Sequence, residues 1–262
     1  MILIILRHFL IKMKGKRSWD YGFSSWDAAV AHACGYDDDS VITKVYRSAK
    51  MVRDGHAIYE RDSVIFSEVE YSWPLLASLL LVAATKSNLR VIDFGGSLGT
   101  TYRQNSRFLS KLKFDSQWRV VEQEKFVKIG KNEFTNQILS FYYSIEDAVL
   151  EGVDVVLFAG SICYVEDPYK YISQAIKVGA EYIIFDRTPI TKELNDTFAV
   201  QYVPNSIYKA SFPIRTFCQD NLYKAIGSEY ECVEKWICNL QADPKSTSMG
   251  FIFKRKCAKD QL

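Results

Sequence analysis

Histidine is scarce in this sequence, three in 262 residues, and no two stand at the spacing of a zinc-binding pair. The six cysteines, Cys34, Cys163, Cys218, Cys232, Cys238 and Cys257, contain no CxxC and follow no regular spacing. Those absences argue against the common zinc ligand sets and against a disulfide framework. The expectation is reduced thiols, no metal and a cytoplasmic protein. Net charge is nearly absent too: 33 basic side chains against 31 acidic ones leave +2, with no block of like charge. A dedicated nucleic-acid binder concentrates positive charge, so that class is set aside. Apolar runs long enough to span a bilayer are also missing. "MILIILRHFL" is broken by Arg7 and His8, and "LLASLLLVAA" is short. The opening stretch puts apolar residues before basic ones, the reverse of a secretion signal. With Lys12, Lys14, Lys16 and Arg17 behind it, it suits a peripheral contact with an anionic membrane or, more plainly, a short packed helix or strand.

What is present is 48% hydrophobic and 24% charged residues, a composition that can fill and cover a sizeable core. Residues 1–70 are expected to form a helical N-terminal extension. Ser24 or Ser25 is placed to N-cap a helix through "WDAAVAHAC", with Gly35 as its stop, and a second helix covers "VITKVYRSAKMV". From Trp73 the chain alternates. "PLLASLLLVAATK", "TYRQNSRFLSKL", "EKFVKIGKNEF", "IEDAVLEG" and "PYKYISQAIKVG" read as helices, and "RVIDF", "WRVVE", "LSFYYS", "VDVVLFAG" and "EYIIFD" as the strands between them. Such alternation implies βαβ units and a parallel sheet, and unbroken apolar strands suit a sheet covered on both faces. The tail differs: "YECVEKWICNL" and "MGFIFKRK" are two strand-like runs with no helix between them. The fold class expected for residues 71–262 is therefore α/β, a seven-stranded, mostly parallel sheet with a C-terminal antiparallel hairpin.

The stretch "RVIDFGGSLGTTY" crowds three glycines and a serine into five positions directly after a strand. Glycine there serves either a tight turn or a backbone that must come close to something else. In an open parallel sheet, ligands bind outside the carboxyl ends of the strands, so the loop is a candidate cofactor contact. Its spacing, D-F-G-G-S-L-G, is not the dinucleotide fingerprint G-x-G-x-x-G. Asp93 before the glycines repels a pyrophosphate and attracts an amino group. Glu122 ends the next strand, 23 residues after Gly99, where a carboxylate can accept both hydroxyls of a ribose. "FYYSIED" and "LFAGSICYVEDP" place polar and aromatic residues at two further strand ends.

An acid before a glycine loop, followed by an acid on the second strand, resembles the class I S-adenosylmethionine-dependent methyltransferases, whose Rossmann-like sheet ends in the same kind of hairpin. In order and spacing, "VIDFGGSLGTTY", "VVEQ", "FYYSIED", "YVEDP", "DRTPI" and "VPNSIY", with "GFSSWDAAVAHACGYD" and "YERDSVIF", look like a bacterial methyltransferase group found with surface-polysaccharide biosynthesis genes. The resemblance implies S-adenosylmethionine as cofactor. It implies that Asp93, Gly95, Gly96, Ser97 and Gly99 form the cofactor loop, and that Glu122 with Gln123 meets the ribose. Ser144 and Ile145 would lie beside the adenine, and Ala159, Gly160 and Ser161 beneath the methionine part. Cys163 departs from the glutamine-like residue expected at its position.

Methyl transfer from a sulfonium is an in-line displacement that depends on alignment, aided by a base when the acceptor is a hydroxyl. His56 in "RDGHAIYERDS" has a suitable pKa range for a base, or is a surface residue. Asp186 and Arg187 follow "YIIF". Arg187 can hold an acidic acceptor, or the two can brace the loop before Pro189. Tyr164 and Glu166 can face the acceptor, while Asp167 is placed to cap the helix starting at Pro168. Tyr59, Glu60 and Arg61 are candidates for a lid, and "VPNSIYKASFP" for an acceptor wall or a packed loop. The leading function is a methyltransferase acting on a small molecule or a sugar or glycan acceptor. The alternatives are an NAD-dependent nucleotide-sugar oxidoreductase or epimerase, and a non-catalytic methyltransferase-like binding protein.

Overall fold

The computed structural model describes residues 18–33, 39–112, 115–203, 210–240 and 243–257. The N-terminal part supplies β1 (Trp19–Phe23), α1 (Trp26–Val30), α2 (Asp39–Arg53), β2 (Tyr59–Arg61) and β3 (Val64–Phe66). The alternating part follows as α3 (Trp73–Lys86), β4 (Leu89–Phe94), α4 (Thr100–Leu109), β5 (Ser116–Val121), α5 (Glu124–Ile129), β6 (Leu139–Tyr142), α6 (Ile145–Ala148), β7 (Val155–Ala159), α7 (Pro168–Lys177) and β8 (Tyr182–Thr191). The chain closes with β9 (Thr197–Tyr202), β10 (Ser211–Cys218), α8 (Gln219–Ile226), β11 (Tyr230–Ile237) and β12 (Thr247–Arg255).

Strands β6, β5, β4, β7 and β8 lie side by side in parallel. Strand β12 runs antiparallel along the other edge of β8, from Thr247 opposite Ile190 to Lys254 opposite Tyr182, and β11 pairs with β12. The seven expected strands are thus present, with the hairpin joined to the sheet through its second strand. Side chains alternate between two buried clusters. Val91, Val120 and Leu157 pack with Leu75, Leu79 and Val82 of α3. Ile92, Val156 and Ile183 pack with Ile172 of α7 and Leu222 of α8 on the other face. Each such side chain contributes about 1.5–3 kcal/mol by leaving water.

Three further strands make the sheet ten-stranded. Strand β8 is ten residues long and outruns β7, whose Ala159 pairs with Asp186. Beyond that point β10 takes the vacated edge, with Phe217 opposite Ile190 and Cys218 opposite Thr191. Strands β9 and β1 then add antiparallel. The addition forms a wall beside the carboxyl end of β7.

Several expectations are corrected. "DRTPI" is a continuation of β8 and not a loop, and residues 211–213 of "VPNSIYKASFP" belong to β10. Residues 1–70 are not simply a helical cover, because β1 is an edge strand of the main sheet and β2 and β3 form a hairpin. Val41, Val45 and Ala49 of α2 lie in the same buried cluster as Leu75 and Leu79. Ser25 caps α1, its hydroxyl accepting from Ala28 N at 3.2 Å, but the helix ends at Val30. The apolar opening stretch, Cys34, Gly35 and the centre of "VPNSIYKASFP" lie outside the described residues. Among the described residues no helix is long and apolar enough to cross a membrane.

Candidate functional site

At the carboxyl end of β4 the chain crosses toward β5: Gly95 N donates to Val121 O at 2.8 Å. Gly95 has φ +71°, and a Cβ there would stand 2.4 Å from Ser161 Cβ in the loop after β7. A Cβ on Gly96 would stand 2.5 Å from Asp93 Oδ2. The close approach that these two glycines permit is thus to the protein beneath the loop. Ser97, itself at φ +55°, turns its N–H onto Glu122 Oε1 at 3.1 Å. Gln123 N donates to Glu122 Oε2 at 2.8 Å. Glu122 is half-buried at the end of β5; burial raises its pKa, and the Gln123 and Ser97 N–H groups pull it back.

Asp93 is fully buried. Trp118 Nε1 donates to its Oδ2 at 3.0 Å, and Oδ1 meets no donor. Burial pushes the carboxyl up to about 7, with Trp118 and Arg187 acting the other way and Glu122 adding to the rise. The sequence reading has Asp93 attracting the amino group of a ligand. The carboxyl lies directly under Gly96.

The residues expected beside an adenine and beneath a methionine part lie at the strand ends and are largely committed to the fold. Ser144 caps α6, its hydroxyl accepting from Asp147 N at 3.0 Å, and Ile145 is a core residue. Gly160 N donates to Asp186 O at 2.8 Å, and Ser161 Oγ donates to Phe94 O. Ala159 O accepts from Arg187 Nη2 at 2.7 Å.

The catalytic candidates separate more sharply. Asp186 is fully buried. Its Oδ1 accepts from Ser72 Oγ at 3.0 Å, Trp236 Nε1 at 3.1 Å and Cys238 Sγ at 3.5 Å. Its Oδ2 accepts from Arg187 Nη1 at 3.0 Å. So engaged, Asp186 ties the N-terminal segment, β8 and the C-terminal hairpin together, as in the reading in which it and Arg187 brace this segment. Arg187 sits at φ +54° with its guanidinium spanning β7 and β8. Burial works against its charge, and Asp186, with Tyr59 and Asp62 nearby, more than offsets that. Tyr164 is half-buried and donates to Gln201 Oε1 of the wall at 2.8 Å. Asp167 caps α7, accepting from Lys170 N at 3.1 Å, while Glu166 is exposed. Cys163 is packed in the core. His56 is exposed in the turn after α2, its N–H on Met51 O at 2.8 Å, and no contact among the described residues ties it to the strand ends.

The hairpin β2–β3 reaches the site instead. Glu60 is buried, and its Oε1 accepts from Thr100 Oγ1 directly after the glycine loop. Gln104 Nε2 donates to the buried Tyr59 hydroxyl at 3.3 Å. The turn residues Asp62 and Ser63 have φ +51° and +67°. The field of Asp62 reaches Arg187 at the end of β8. Thr100, Trp118, Ser72 and Ser63 were not singled out in the sequence. The available signal was the pair of short apolar-edged runs around Asp62–Ser63, a weak hairpin cue without glycine.

No protein-family model matches the chain, and no curated protein matches it. Similarity appears among solved structures. The N-terminal domain of EvdMO1, solved in the presence of SAH and D-fucose, is 17% identical, with 84% of this chain and 98% of that chain covered and a TM-score of 0.48. Magnesium protoporphyrin IX methyltransferase from Synechocystis PCC 6803, with bound SAH, is 12% identical over 83% of this chain and 100% of that chain, TM-score 0.47. The N-methyltransferase NodS from Bradyrhizobium japonicum WM9, in complex with SAH, is 13% identical over 70% of this chain and 86% of that chain, TM-score 0.43.

Proposed function

We propose that this chain is a cytoplasmic methyltransferase that uses S-adenosylmethionine on a small-molecule acceptor, in its finer form a sugar or glycan of surface-polysaccharide biosynthesis. The observation that carries the reading is the 3.1 Å bond from Ser97 N to Glu122, which joins the glycine loop and the second-strand carboxylate in one crevice. Each Glu122 oxygen accepts one backbone N–H and keeps lone-pair capacity for a ribose hydroxyl. Glu122 and Glu60 flank the loop with carboxyl groups, which disfavours a pyrophosphate and with it the NAD reading. They suit a cofactor whose reacting end is a cation.

When bound, S-adenosylmethionine supplies an electrophilic methyl group on a sulfonium. The chain's part is alignment and exclusion of water. The glycine loop and Ser161 shape the floor, the Asp186–Arg187 brace fixes the ends of β7 and β8, and the hairpin and the β1–β9–β10 wall flank the opening. Among the catalytic candidates, Tyr164 has its hydroxyl between the end of β7 and that wall. Calorimetry with S-adenosylhomocysteine and with NAD tests the reading: binding of the first and not the second is expected, and the reverse would overturn it. A screen of nucleotide sugars and glycans for S-adenosylhomocysteine release identifies the acceptor.

A further inference from the structure

Glu60 comes from the N-terminal hairpin, not from a strand end, and it is 2% exposed. Its partners are neutral donors, the Thr100 hydroxyl and the Ser63 backbone N–H. No lysine or arginine among the described residues forms an ion pair with it. Arg103 lies near enough that its charge and that of Glu60 favour each other, but it makes no ion pair with Glu60: its Nη2 donates to Leu98 O, and its buried Nε meets no hydrogen-bond partner. Helix α4 has Gly99 as its N-cap and no acidic residue in its first turn, so Glu60 is the carboxylate at the end of the cofactor loop. A buried carboxylate whose direct hydrogen-bond partners are all neutral is costly, and a cation in contact with it relieves that cost. Burial accordingly raises its pKa.

Two further features point the same way. Asp93, the acid that the loop motif offers for a ligand's amino group, is sealed beneath Gly96. Ser63 Oγ is out of contact with solvent and meets no hydrogen-bond partner. Ser63 and Asp62 hold left-handed backbone without glycine, a conformation that persists only where the surroundings enforce it. Here Arg61 is tied to Glu70 at 2.8 Å, and the Tyr59 and Phe66 rings pack at 5.5 Å.

We propose that Glu60 receives the ammonium of the cofactor's amino-acid tail, with the Ser63 hydroxyl as a second polar contact beside it. This rests on the S-adenosylmethionine reading, and the test separates the two. S-adenosylhomocysteine carries the tail, whereas 5′-methylthioadenosine keeps the adenosine and sulfur and lacks it. Calorimetry of the full chain with both ligands is expected to show Glu60→Gln weakening S-adenosylhomocysteine roughly 10- to 150-fold, the worth of one charge-assisted bond. The same variant leaves 5′-methylthioadenosine unchanged. Glutamine keeps the Thr100 bond and removes a buried charge, so the melting temperature holds or rises. Ser63→Ala gives a smaller loss with the same selectivity, and carries the comparison alone if Glu60→Gln fails to fold. An equal loss for both ligands, or no loss, overturns the proposal. If the unaltered chain binds neither ligand, the cofactor reading fails and the proposal falls with it.

Discussion

Trp118 Nε1 donates to Asp93 Oδ2 at 3.0 Å, so a carboxyl buried beneath the glycine loop has one indole as its hydrogen-bonded support. Its pKa stands near 7 in the folded chain against 3.8 for the unperturbed group. Between those values the folded chain keeps a proton that the unfolded chain has lost. Stability from this group is therefore complete below about pH 4 and declines as pH rises toward 7. Asp93→Asn is expected to remove that decline. The variant should gain on the order of 2 kcal/mol relative to the parent between pH 5 and pH 8 in urea melts, as one pKa unit is about 1.4 kcal/mol. A difference independent of pH would mean that Asp93 is already ionised at pH 5.

Gly95→Ala tests what the glycine loop is for. The added Cβ meets Ser161 Cβ at 2.4 Å and sits at positive φ, together about 2–4 kcal/mol of destabilisation. Ser161→Gly removes the opposing atom. The double variant is expected to recover part of the loss in denaturant midpoints. Absence of any recovery would show that the loop's crowding lies elsewhere.

Asp186→Asn separates a brace from a base. Four donors converge on this buried group, so the variant is expected to lose about 3–5 kcal/mol by leaving Arg187 without its charge partner. A catalytic base predicts the opposite, an unchanged melting temperature with turnover lost.

Removing residues 1–70 strips β1 from the sheet and takes Val41, Val45 and Ala49 from the core around Leu75 and Leu79. The truncated chain is expected to lose near-ultraviolet dichroism and to bind a hydrophobic dye. A shorter chain that unfolds cooperatively and still binds S-adenosylhomocysteine would mean that the segment is a dispensable cover.

The parallel core was legible because its strands are unbroken apolar runs, such as "VDVVLFAG", each followed by an amphipathic helix. The wall was not. In β10, Pro213 interrupts the alternation of Phe212, Ile214 and Thr216, and a proline within a run argues against a strand. The structure tolerates it because β10 meets β8 at Phe217 and Cys218 and so has β9 as its one neighbour at Pro213. The place of Glu122 at the end of the second strand of the alternating part was legible from spacing alone. The position of Asp93 near the end of β4, just before the glycine loop, was legible, but its burial depends on Trp118 and on the path of the loop. Glu60 was read with Tyr59 and Arg61 as a lid candidate, and its place against the glycine loop was not legible, since its contact with Thr100 spans 40 positions. His56 had the right chemistry, but its place in an exposed turn is set by where α2 ends.

The central claim is that the crevice holds the cofactor's ribose on Glu122. Titration of Glu122→Gln with S-adenosylhomocysteine tests it most directly. Glutamine keeps the shape, loses the charge and turns its NH2 toward a donor, so affinity should fall about 5- to 150-fold, on the order of 1–3 kcal/mol. Glu122→Ala should lose at least as much. Dissociation constants unchanged from the parent chain would contradict the claim, because a carboxylate serving only to hold the Ser97 and Gln123 N–H groups need not touch the ligand.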